Sequence, residues 1–139
     1  MSGTVGAAGA HDGAKLVAHI VIIDDDAAVG DAYAAVLRDN EHEVSLYTSV
    51  EEADELVANK RVDLILLDLW LPAMCGLDYL KTLAERDAMP RVLAISGGGP
   101  GRSIESAVTI AEVRGAVSSL VKPVTDDELV AAVDAALAR

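Results

Sequence analysis

The chain has 139 residues, 52% of them hydrophobic, which suits one domain of ordinary size with a real core. Its net charge of −12 argues against direct binding of nucleic acid, because a phosphate-backbone surface needs clustered Lys and Arg. No apolar run reaches the roughly 18 residues of a membrane span, no secretory h-region opens the chain, and the single cysteine, Cys75, has no internal disulfide partner. The expectation is a cytoplasmic protein with no membrane contact. Phenylalanine is absent, so Ala, Val, Leu and Ile must do most of the packing.

Residues 1–18 are rich in Gly and Ala without a sustained period and read as a flexible tail, leaving 19–139 as the folded domain. The run I-V-I-I ending at Ile23 predicts a first strand. Asp26 then caps a helix over Ala27 to Arg38, with Val29, Val36 and Leu37 turned inward. Val44 to Tyr47 is a short second strand. Ser49 and Glu52 form a capping-box pattern before a helix that turns Ala53, Leu56 and Val57 inward.

Leu64 to Asp68 is the third strand. After the break at Leu71-Pro72, Leu77, Leu80, Leu83 and Ala84 mark the third helix, and Val92 to Ser96 forms the fourth strand. The glycine loop from Gly97 to Gly101 leads to a fourth helix near Ser103 to Val113 and a fifth strand over Val117 to Val121. Thr125 and Glu128 cap a final helix whose stripe is Leu129, Val133, Ala136 and Leu137. His11, His19 and His42 have no ligand spacing and are expected at the surface, and Cys75 is expected to pack.

Short continuous apolar runs are the mark of parallel strands buried on both faces, so five βα units predict a doubly wound parallel sheet with strand order 2-1-3-4-5. Each of four runs ends on a chemically competent residue: Asp24 with Asp25, Asp68, Ser96 and Lys122. Parallel strands bring their carboxyl ends to one edge, where open α/β sheets bind ligands. Two carboxylates about 4 Å apart repel by roughly 4 kcal/mol at an effective dielectric near 20. A bound cation, a raised pKa or Lys122 can each relieve that. Oxygen donors with open water positions suit Mg2+, and Mg2+ beside a lysine and a hydroxyl suits phosphoryl transfer to an aspartate nucleophile.

These residues resemble the receiver domains of two-component response regulators. The resemblance runs from about Ile20 to Arg139 and rests on D-D at 24 and 25, D-L-W-L-P-A-M-C-G from Asp68 to Gly76, I-S-G at 95 to 97, and K-P at 122 and 123. It implies a flavodoxin-like three-layer fold and a phosphoacceptor Asp68 charged by a partner histidine. It also implies Mg2+ held by Asp25, Asp68 and the Trp70 backbone carbonyl, with Asp24 acting through water. Ser96 would hydrogen-bond a phosphoryl oxygen, Lys122 would pair with Asp68 or the phosphoryl group, and the bond to Pro123 would be cis.

The chain departs from the pattern at Ser119, where receivers often carry a switching aromatic, and at Val124, often Phe. Trp70 and Gly98 flank the expected phosphoryl site without an amide or acid to position water, which implies a long-lived acyl phosphate. The implied partners are a histidine kinase or a histidine phosphotransfer protein and an unidentified downstream protein target. The expected action is that of a stand-alone receiver signalling by protein contact, with a homodimer through helix four, strand five and helix five left open.

As a phosphoacceptor the domain is expected not to be an enzyme beyond self-phosphorylation from small donors and slow self-dephosphorylation. The alternatives are a phosphorylation-independent adaptor and an Mg2+-dependent phosphatase of the haloacid dehalogenase type. That phosphatase family wants an acid where Trp70 stands. A flavodoxin-like cofactor binder is disfavoured because Asp24 to Asp26 would repel a cofactor phosphate.

Overall fold

The computed structural model describes residues 17–71, 74–97 and 103–138. Most of the expected tail and glycine loop lie outside the described residues. The elements alternate as β1 (His19–Ile23), α1 (Ala27–Asp39), β2 (Glu43–Tyr47), α2 (Val50–Asn59), β3 (Leu64–Asp68), α3 (Gly76–Ala84), β4 (Arg91–Ser96), α4 (Ile104–Val113), β5 (Ser118–Val121) and α5 (Asp126–Leu137). All strand pairings are parallel, and the order is β2-β1-β3-β4-β5. The doubly wound α/β fold is therefore as expected, with its switch point between β1 and β3.

The central strands divide their side chains strictly between two apolar layers. Ile20, Ile22, Leu64, Leu66, Leu93 and Ile95 meet Tyr33, Ala34 and Leu37 of α1 and Leu129, Val133 and Ala136 of α5. Val21, Ile23, Ile65, Leu67, Val92 and Ala94 meet the helices α2, α3 and α4 on the other side. The edge strands β2 and β5 are mostly half-buried, since each has only one neighbouring strand.

Helix starts follow the polar residues that precede them. The Asp26 carboxylate accepts from the Ala28 and Val29 N–H groups, and Ser103 accepts from Ser106. Thr125 and Glu128 complete a reciprocal capping box. At α2 only half of that pattern forms: Glu52 N–H donates to Ser49 Oγ at 3.3 Å, while the Ser49 hydroxyl turns to the Glu52 carboxylate.

Three expectations need correction. The inward face of α1 consists of Gly30, Tyr33, Ala34 and Leu37, with Val29 and Val36 on its flanks. Alanines recur along that helix, so apolar spacing alone does not single out one stripe. In α3 the buried face includes Tyr79 and excludes Ala84. Tyr79 turns inward because its hydroxyl has a partner, donating at 2.7 Å to Asp54, which also receives both guanidinium nitrogens of Arg86 at 2.8 Å. His42 is buried rather than exposed, its Nδ1 accepting from the Ala18 N–H at 3.1 Å.

Gly76 ties the start of α3 to the end of β3. Its N–H donates to the Leu69 carbonyl at 3.0 Å, and a Cβ there would lie 2.5 Å from the Asp68 carbonyl oxygen and 2.8 Å from Leu69 Cα. Both obstacles are backbone, so neither can swing aside. Gly76→Ala is therefore expected to lower the unfolding free energy by about 1–3 kcal/mol, measured by urea denaturation. An unchanged midpoint would show that the β3–α3 turn has slack.

Candidate functional site

The carboxyl ends of β1, β3, β4 and β5 hold the residues that the apolar runs single out. Asp24, Asp25 and Asp68 each offer a carboxylate oxygen within 4.8 Å of the others. Asp24 is 2% exposed and Asp68 5% exposed, while Asp25 faces solvent. The cluster thus has two buried walls and one open side, a shape in which a hard cation could keep water ligands.

Backbone geometry pins these acids. Asp24 N–H donates to the Tyr47 carbonyl of β2 at 3.1 Å, and Asp24 Oδ1 accepts from Asp26 N–H at 2.9 Å. Asp68 Oδ1 accepts from Trp70 N–H at 3.0 Å, and Leu69 N–H donates to Ile95 of β4. The turn after each strand therefore holds its acid by a two-residue loop, a short polar side chain bonding the backbone just beyond it.

Lys122 reaches this cluster from β5, its Nζ donating to Asp24 Oδ2 at 3.2 Å and to Asp68 Oδ2 at 3.4 Å. The Lys122 N–H bonds the Ser96 carbonyl at 2.9 Å, which sets the height of the lysine above the sheet. The peptide bond from Lys122 to Pro123 is cis, as the resemblance implied.

Burial pushes the Asp68 carboxyl above its usual range, and the repulsion of Asp24 adds to that, while the Trp70 N–H and Lys122 pull the other way. For Lys122, burial alone would lower the pKa, but Asp68 and Asp24 together outweigh it and the ammonium is favoured. The pair is uneven because one lysine serves two acids. Tyr33 of α1 lies within reach of the same charges, and burial raises its phenol.

Ser96 is fully buried at the end of β4, with its Oγ accepting from the Trp70 indole Nε1 at 3.3 Å. The sequence placed Trp70 beside the site for its backbone carbonyl and for its lack of an amide or acid, and gave no sign of this side-chain contact. Spacing relative to Asp68 carries no signal for it, since the indole meets a residue 26 positions away. Cys75 packs as expected, its Sγ lying 3.1 Å from the Leu69 carbonyl. Gly98, the other residue expected beside the site, lies outside the described residues.

Two like charges within 4.8 Å repel by about 3 kcal/mol at an effective dielectric near 20, and a single shared lysine offsets only part of this. Asp68→Asn is thus expected to stabilise the metal-free domain by about 1 kcal/mol at neutral pH. The sign follows from the raised Asp68 pKa: its ionisation penalises the folded state above the folded value. The penalty vanishes below the unfolded value of about 3.9. Denaturation of both chains across pH 3 to 8 checks this, and a variant less stable at neutral pH would refute it.

The match to the response regulator receiver domain family covers residues 20–134. The chain is 32% identical over 120 residues to the DNA-binding response regulator MtrA of Mycobacterium tuberculosis, covering 86% of this chain and 50% of that protein. It therefore spans about half the length of that relative. Among solved structures, it superposes on NtrX from Brucella abortus with a TM-score of 0.80 and 29% identity, covering 88% of this chain and 27% of that one. A CheY-like receiver domain protein from Methanospirillum hungatei superposes with a TM-score of 0.79 at 24% identity, covering 88% and 95% of the two chains, and supports the fold alone. With its acids, hydroxyl and lysine gathered at the carboxyl edge of such a sheet, the chain belongs to the receiver domains of response regulators.

Proposed function

We propose that Asp68 is the phosphoacceptor of a phosphorelay, charged by a histidine kinase or a histidine phosphotransfer protein. The observation that carries this reading is Lys122 bridging Asp24 and Asp68 within the three-carboxylate cluster. An Asp68 carboxylate oxygen attacks the phosphorus of a phosphohistidine. The new O–P bond forms as the P–N bond breaks, and its electron pair returns to the imidazole nitrogen. The product is an acyl phosphate on Asp68.

The donor set fits a hard divalent cation, since three carboxylates stand together and one is open to water. Asp25, Asp68 and the Trp70 backbone carbonyl are the proposed direct donors for Mg2+, with Asp24 acting through water. Mg2+ bound there would offset the charge of the phosphoryl oxygens that gather beside the acids. The chain's own contribution is to position groups. Lys122, held in its ammonium form by two acids, stands ready to bond the phosphoryl group in exchange for Asp68. The Ser96 hydroxyl is the proposed donor to another phosphoryl oxygen.

A phosphatase of the haloacid dehalogenase type would need an acid at Trp70, whose indole is instead occupied with Ser96. Output is proposed to pass through protein contact by this receiver unit at residues 19–139. The face of α4, β5 and α5 exposes Val113 (81%) and Val121 (46%), which supports it as a contact surface for a target or a second copy. A cytoplasmic location and a long-lived acyl phosphate belong to the same proposal. Among the described residues no helix is long and apolar enough to cross a membrane.

The test is intact mass after incubation with acetyl phosphate, with and without Mg2+. The expected result is a Mg2+-dependent, hydroxylamine-labile gain of one phosphoryl group that Asp68→Asn abolishes. A gain retained by Asp68→Asn would move the acceptor elsewhere, and no gain under any donor would favour a phosphorylation-independent adaptor.

A further inference from the structure

Asp68 and Ser96 end neighbouring strands, yet the alternation of each strand sends them to opposite faces of the sheet. Asp68 continues the series of Leu64 and Leu66, which belong to the layer of α1 and α5. Ser96 continues the series of Val92 and Ala94, which belong to the layer of α2, α3 and α4. Trp70 packs against that second layer, and there its indole N–H donates to the Ser96 hydroxyl.

The neighbouring strand places a small residue at this corner. Ser119 pairs with Ala94 across β4 and β5 and so shares its face. Among the described residues, Ser119 Oγ is a buried side-chain oxygen without a hydrogen-bond partner. A serine offers little bulk to hold Ser96 from that side, whereas the Trp70 indole meets its hydroxyl directly. Trp70 is also bonded to Asp68 through its own backbone N–H at 3.0 Å. One residue therefore contacts both the proposed acceptor carboxylate and the proposed phosphoryl-binding hydroxyl.

Resting on the phosphoacceptor reading above, we infer that Trp70 is a positioning residue whose indole N–H holds the Ser96 hydroxyl toward the α4 layer, and that this bond is exchanged when Ser96 engages a phosphoryl oxygen. An indole nitrogen only donates, and a hydroxyl has one hydrogen and two lone pairs. Holding one lone pair toward Trp70 restricts the directions open to the hydroxyl hydrogen. At 3.3 Å the bond lies just beyond the usual N–H···O range, between two neutral groups. Its loss is thus expected to shift the balance between Ser96 bonded to Trp70 and Ser96 bonded to a phosphoryl oxygen by about two- to tenfold. The phosphorylation state of Asp68 is thereby passed to an aromatic side chain on the β3–α3 connection, not to β5.

A double-mutant cycle on the full chain tests this, using Trp70→Phe, Ser96→Ala and the pair, with the rate of phosphorylation by acetyl phosphate and Mg2+ read by intact mass. Phe keeps an aromatic ring and removes the N–H. The expected result is a two- to tenfold faster rate for Trp70→Phe and no such gain in the Ser96→Ala background. Trp70 is the single tryptophan, so its fluorescence gives a second reading in the unaltered chain. Emission should change on phosphorylation in the parent and stay constant in Ser96→Ala, the two being compared at the same phosphorylated fraction by intact mass.

Equal effects of Trp70→Phe in both backgrounds, a rate at or below the parent's, or an emission change that survives Ser96→Ala would each overturn the role of Trp70. Failure of the parent chain itself to gain the group would instead sink the phosphoacceptor reading, and this inference with it.

Discussion

The repulsion among three carboxylates at one end of a parallel sheet is the constraint around which this molecule is arranged. Asp24 and Asp68 are nearly buried, so solvent screens them poorly, and their charges are relieved by an ammonium from the far end of the chain. Lys122 can do this only if β5 lies beside β4 at the right height, which the bond from its N–H to the Ser96 carbonyl sets. The last strand is thus tied to the first by charge as well as by the core. Isolated buried charges would cost more than the fold could offset, and a shared lysine leaves the cluster viable but unfavourable.

That imbalance is what gives the site its chemistry. A carboxylate with its pKa raised by burial, beside a second acid and a single cation, is poised to gain from any added positive charge. The rigid platform beneath makes such poise sustainable. β1, β3 and β4 are covered by apolar layers on both faces, so the strand ends cannot spread apart to relieve the repulsion. Gly76 adds to this by letting α3 start against the backbone of Asp68 and Leu69.

Much of this was legible in the sequence, and particular residues explain where legibility stopped. Apolar runs located the central strands because strands buried on both faces must be apolar throughout. Asp26, Ser103 and Thr125 announced helix starts because capping is local chemistry within three residues. The inward face of α1 was read only in part, Leu37 at its centre and Val29 and Val36 at its flanks, since alanines fit either side of a helix, and the packing of Gly30 against Leu46 is a matter of what lies opposite. Tyr79 and His42 were likewise opaque. A polar group is buried where a partner awaits it, and those partners, Asp54 and Ala18, are 25 and 24 residues away.

The sequence by itself determined the alternation of elements, the direction of the strands and the types of residue at their ends, because period, capping and short apolar runs act over a few residues. It also determined that acids, a hydroxyl and a lysine would share one edge, since parallel strands leave no other arrangement. Only the tertiary structure decided which of those groups touch. Lys122 divides itself between Asp24 and Asp68, and the Trp70 indole donates to the Ser96 hydroxyl. Such pairings depend on side-chain reach and on the face to which each strand end turns. Those are properties of the packed sheet and have no counterpart in local sequence.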